Sequence, residues 1–112
     1  MKNQVIQCGL FDFRGSVRNS LFAIAGAGNQ ARRILSHLSP LKPHFITDND
    51  PLKWGSDLLG AKVLAPSDVA TYQPDIIILS SLTYFVMASQ YGLDERSVVF
   101  ILPPVELIYG YN

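Results

Sequence analysis

The sequence predicts an α/β fold: a single small domain of three layers, with a mostly parallel sheet between two layers of helix. Three observations predict it. Short, continuous apolar runs such as Leu21–Ala25 and Ile76–Leu79 recur along the chain, and a strand that is apolar at every position is one buried on both faces, as in a parallel sheet covered by helices. Segments with helical spacing or helix-capping residues stand between these runs, the alternation that right-handed crossovers need. Finally, 112 residues with 48% hydrophobic and 11% aromatic content suffice for one packed core and exclude wholesale disorder.

Taken in order, residues 1–19 are a lead-in, where VIQCGLFDF reads as a strand or hairpin interrupted at Gly9 and Gly15. A domain follows over 20–104. Its first strand is the apolar run from Leu21, and Gly26–Asn29 is a turn. In NQARRILSHLS, Ala31, Ile34, Leu35 and Leu38 fall at i, i+3, i+4 and i+7, one face of a helix. Pro40 and Pro43 end that helix. His44–Thr47 is a second strand leading into the acidic loop Asp48-Asn49-Asp50, and residues 51–62 read as a loop containing Gly55 and Gly60. Lys62–Leu64 is a short strand, and Pro66-Ser67-Asp68 opens a brief helix to Tyr72. Asp75–Ser81, with four consecutive apolar residues, three of them β-branched, after a Pro-Asp turn, is the clearest strand. A helix from Thr83 to Tyr91 ends at Gly92, and Ser97–Leu102 is a last strand stopped by Pro103-Pro104.

The tail, 105–112, is too short for another layer. It carries Val105, Leu107, Ile108, Tyr109 and Tyr111, a patch that soluble monomers avoid exposing. The expectation is that it lies against a second copy, giving a homodimer, or against the lead-in around Val5–Phe13.

Charged residues make up 16% of the chain, below the typical value of about 25%, so a partner is expected to cover some apolar surface. Nine basic and nine acidic residues give a net charge of zero, which argues against electrostatic binding to nucleic acid or to an anionic membrane. The lone Cys8 makes no intramolecular disulfide. The first residues lack the apolar stretch of a signal peptide, and no run approaches the roughly 20 apolar residues of a membrane span. A cytoplasmic domain is the expectation.

The sharpest local signal is Gly26-Ala27-Gly28-Asn29-Gln30-Ala31, a G-x-G-x-x-A run directly after a strand and opening a helix. The first glycine makes the tight turn, the second lets backbone approach a phosphate, and a small third residue lets the helix pack on the sheet. The phosphate lies over free amides and the positive end of the helix dipole. The bland alternative is a strand-to-helix turn that needs glycine and binds nothing.

Asp48 stands twenty residues beyond Gly28, at the end of the second strand, where a carboxylate accepts from both ribose hydroxyls. Asn49 beside it joins the candidate binding set, and Asp50 is a substitute acid. The same four residues, DNDP, also make an ordinary polar turn. They are not a calcium loop, because the sixth position is Lys53 and the twelfth Leu59. His37 and His44 have no partner at metal-ligand spacing. Trp54 either stacks on a base or plugs the sheet edge, and packing is the commoner role. Ser80 and Ser81 lie at the carboxyl end of the Ile76–Leu79 strand, the side on which open α/β sheets bind ligands. Thr83 is placed to cap the next helix. Neither the serines nor Thr83 has an evident base, and Tyr84 lacks a lysine four residues on, since position 88 is Ala. No acid–base or nucleophile set emerges, so no catalysis by the chain alone is expected.

The runs FAIAGAGNQARRILSHL, FITDNDPLKWG, AKVLAPSDV and PDIIILSSLTYF together resemble a Rossmann-like module attached to bacterial polysaccharide-biosynthesis and sugar-modifying proteins. In that group it forms the N-terminal domain of nucleotide-sugar epimerases and dehydratases, the N-terminal domain of sugar acyltransferases, and an accessory domain of sugar methyltransferases. The resemblance covers residues 21 to about 102. It implies a nucleotide, a dinucleotide such as NAD(P), or a nucleotide-sugar bound at Gly26, Gly28 and Asp48. The larger relatives continue into a catalytic domain, so the resemblance also implies a separate catalytic partner or a stand-alone remnant. The competing expectation is an interaction or oligomerisation module that has kept the fold without the ligand.

Overall fold

The computed structural model describes residues 3–80, residues 98–104 and Leu107. Seven described strands form one sheet: β1 (Asn3–Gln7), β2 (Phe22–Ala25), β3 (Phe45–Thr47), β4 (Asp57–Leu58), β5 (Ala61–Leu64), β6 (Ile76–Leu79) and β7 (Val98–Leu102). Their spatial order is β1-β7-β6-β2-β3-β5-β4, and every pairing is parallel except the β4–β5 hairpin. The α/β class with a mostly parallel, Rossmann-like sheet is therefore what the chain adopts.

From central β2 the chain steps outward to β3 and β5, then crosses back to place β6 and β7 on the other side. The order reverses between β2 and β6, and the crevice above the carboxyl ends of such strands is where open α/β sheets bind ligands. The Gly26 turn leaves β2 at that point.

The continuous apolar runs are strands because both sheet faces are covered. All four residues of β2 and of β6 are buried. Phe22, Ile24, Ile46 and Ile78 face a core that includes Phe13, Ile34 and Leu38, while Ala23, Phe45, Ile77 and Leu79 face a second that includes Val69 and Phe100. The helix α2 (Asn29–Leu38) buries Ala31, Ile34, Leu35 and Leu38, the face that the spacing predicts. Three large aliphatic side chains at roughly 1.5–3 kcal/mol each outweigh anything that helix propensity supplies, so packing holds this helix in place.

Residues 1–19 depart from the sequence expectation. Of the two readings, strand or hairpin, the strand forms, and it joins the sheet as a parallel edge beside β7. A helix then follows, α1 (Leu10–Val17), across the glycine read as a break. Gly9 precedes this helix as its cap, and Gly15 sits on its exposed side. Glycine inside a helix costs about 1 kcal/mol; burial of Phe13 and Val17, both almost wholly covered, exceeds that. The lead-in is thus part of the core.

The segment 51–62, read as loop, contains a 3-10 turn over Pro51–Lys53 and the strand β4, and β5 begins one residue earlier than expected. The helix opened by Pro66 starts as a 3-10 turn and continues as α3 (Val69–Tyr72). Ser81, Thr83, Tyr84, the expected helix from Thr83 to Tyr91 and all of the tail but Leu107 lie outside the described residues. Leu107 packs against the chain's own core, and its carbonyl accepts from Arg33 Nε at 3.0 Å. That part of the expected patch is covered within the chain. Among the described residues, no helix is long and apolar enough to cross a membrane.

Candidate functional site

The strand-to-helix turn is built by glycine at its first position. Gly26 has φ +104°, in the region that side-chain-bearing residues rarely adopt, and its N–H donates to Thr47 O at 2.7 Å. Gly28 caps α2 with extended backbone, and no side chain caps the helix. Among the described residues, a Cβ at Gly28 meets only the end of Gln30, at 3.9 Å. Neither backbone conformation nor packing among these residues requires glycine at 28.

Asp48 is where the expectation and the geometry part most clearly. Its side chain is 5% exposed. Oδ2 accepts from Ala27 N and Oδ1 from Asp50 N, each at 2.8 Å, so both oxygens hold backbone of the chain itself. Lys53 Nζ lies 3.8 Å from Oδ2 and 3.5 Å from Ala27 O. The carboxylate therefore fastens the glycine turn to the end of β3. Hydrogen bonds to a charged acceptor contribute about 1.5–3 kcal/mol each, whereas the ion pair, with its half-exposed lysine, adds no more than about 1 kcal/mol.

Lys53 is the residue that motif reading passed over. Its signal was present, a lysine three positions after the acidic loop, but nothing in the spacing shows that the 3-10 turn folds its ammonium back to Ala27. Trp54 does not plug the sheet edge. It is 42% exposed, and its indole N–H donates to Asp48 O at 2.6 Å. Beside it a shallow cleft of about 460 Å³ is lined by Asn49, Trp54, Ala65, Pro66 and Ser67, at the carboxyl ends of β3 and β5. Arg32 is exposed and does not fill the turn.

Gly26, Ala27, Gly28, Asn29, Gln30, Asp48 and Asn49 are thus gathered at the carboxyl ends of β2 and β3. Ser80 is buried at the end of β6, with its N–H donating to Ala25 O at 3.0 Å, so it sits beside the strand that feeds the turn. Thr47 is 1% exposed, and among the described residues its hydroxyl has no hydrogen-bond partner. Among the described residues no group of three or more His, Cys, Asp or Glu side chains is placed to hold a metal ion.

Fold and turn together define a Rossmann-like α/β domain with a glycine-rich turn at its topological switch point. Comparisons with protein-family models, curated proteins and solved structures return no match for this chain.

Proposed function

We propose that this domain binds a nucleotide-type ligand, a nucleotide, NAD(P) or a nucleotide-sugar, with phosphate over the Gly26–Asn29 turn, and that chemistry belongs to a separate catalytic partner. The observation that carries the reading is Gly28: a glycine at which, among the described residues, an added Cβ meets only the end of Gln30, at the uncapped start of a ten-residue helix and at the switch point of the sheet. The geometry fits a phosphate better than it fits a ribose diol, because Asp48 is only 5% exposed and each of its oxygens already accepts an amide.

Titration of NAD, NADP, UDP-sugars and CDP-sugars against wild type and Gly28→Val tests it. Extended backbone at position 28 and the space around an added Cβ make a folded variant the expected outcome, checked by circular dichroism, so lost binding reports lost approach to the turn. Failure of every ligand to bind wild type below the millimolar range removes the proposal.

A second reading, a protein-docking module, draws support from Leu52, 93% exposed, and from Leu59 and Tyr72, which are also exposed. Concentration-dependent mass by light scattering, lost on Leu52→Ser, is its signature.

A further inference from the structure

Asp48 links the glycine turn to the cleft beside Trp54. Its carboxylate faces the glycine turn through Ala27 N, and its carbonyl anchors Trp54 at the mouth of the cleft. Trp54 is therefore held by its polar edge while much of the side chain stays accessible. Around it the cleft has apolar wall from Ala65 and Pro66, and polar atoms from Asn49 and Ser67. A fixed, exposed indole beside apolar wall with hydrogen-bonding groups nearby suits a flat ring with polar edges, since base–aromatic stacking uses the face of the ring and leaves its edges to polar groups.

We infer that the Asn49–Trp54–Ser67 cleft receives the base of the ligand by stacking on Trp54, and that the ribose passes over Asp48 without its diol being gripped. This rests on the nucleotide-binding reading above. The two parts follow from one arrangement. A base in the cleft and a phosphate over Gly28 put the sugar between them, above a carboxylate that is buried and whose oxygens each accept an amide at 2.8 Å. Recognition then comes from base and phosphate, with Lys53 beside the path of the phosphate.

Trp54 is the chain's single tryptophan, so its emission reports on this cleft alone. The experiment titrates AMP, UMP, dAMP and ribose 5-phosphate into wild type, Trp54→Ala and Trp54→Phe, read by tryptophan fluorescence in wild type and by calorimetry in all three. AMP or UMP quenches Trp54, and ribose 5-phosphate does not. Trp54→Ala weakens nucleotide binding by about 5- to 100-fold, while Trp54→Phe, which keeps a ring, loses less. AMP and dAMP bind alike, whereas a gripped diol separates them by about tenfold or more. Nucleotides that bind wild type and Trp54→Ala equally with unchanged emission overturn the base cleft and leave the phosphate site standing. A tenfold preference for AMP over dAMP overturns the ribose claim. No calorimetric binding of any nucleotide to wild type overturns this inference and the parent reading together.

Discussion

At the scale of single residues, the pairing of Asp48 with the glycine turn organises the molecule's candidate site. Asp48→Ala leaves the amides of Ala27 and Asp50 without their acceptor in a place that water barely reaches, and is expected to lower stability by about 2–4 kcal/mol in urea unfolding. Gly28→Val is expected to change stability by less than about 1 kcal/mol, because among the described residues nothing but the end of Gln30 stands within 4 Å of an added Cβ. This contrast separates a residue that holds the turn from one kept open for something else. The position of Asp48 was legible from its spacing after Gly28; the partners of its oxygens were not. Spacing places a carboxylate at a strand end, but which donor reaches it first depends on how closely two loops approach.

At the scale of elements, the β4–β5 hairpin carries the clearest local strain. Its two-residue turn, Leu59-Gly60, has positive φ at both positions, +50° and +92°. This is the geometry for which asparagine followed by glycine is preferred. Leucine at the first position is strained, and its side chain is exposed. Leu59→Asn is expected to raise stability by about 0.5–1 kcal/mol and the melting temperature by a few degrees. An unchanged or lower melting temperature contradicts the turn geometry. The same hairpin shows why residues 51–62 read as loop. A two-residue strand has no period to detect, and Leu-Gly lacks the usual turn signature. By contrast β2, β6 and α2 were legible because each commits its whole length to one burial pattern, four buried residues in a row for the strands and one apolar stripe for the helix.

At the scale of the whole molecule, the sheet has two covered faces, and residues before β2 help cover one of them. Phe13 in α1 is fully buried and stacks on His37 with ring centroids 5.9 Å apart. Phe13→Ala is expected to cost about 3–5 kcal/mol, a large share of the roughly 5–15 kcal/mol that stabilises a domain of this size. Loss of less than about 1 kcal/mol shows instead that the lead-in is an appendage. The central claim concerns where this scaffold meets its ligand. Backbone amide shifts recorded during titration with NAD and with UDP-glucose test it most directly. At least one ligand is expected to move the amides of Gly26–Ala31 most, with Lys53 and Trp54 next, and Gly28→Val to abolish those shifts. Amides of the turn that stay still for both ligands, or shifts confined to the β4–β5 hairpin, contradict it.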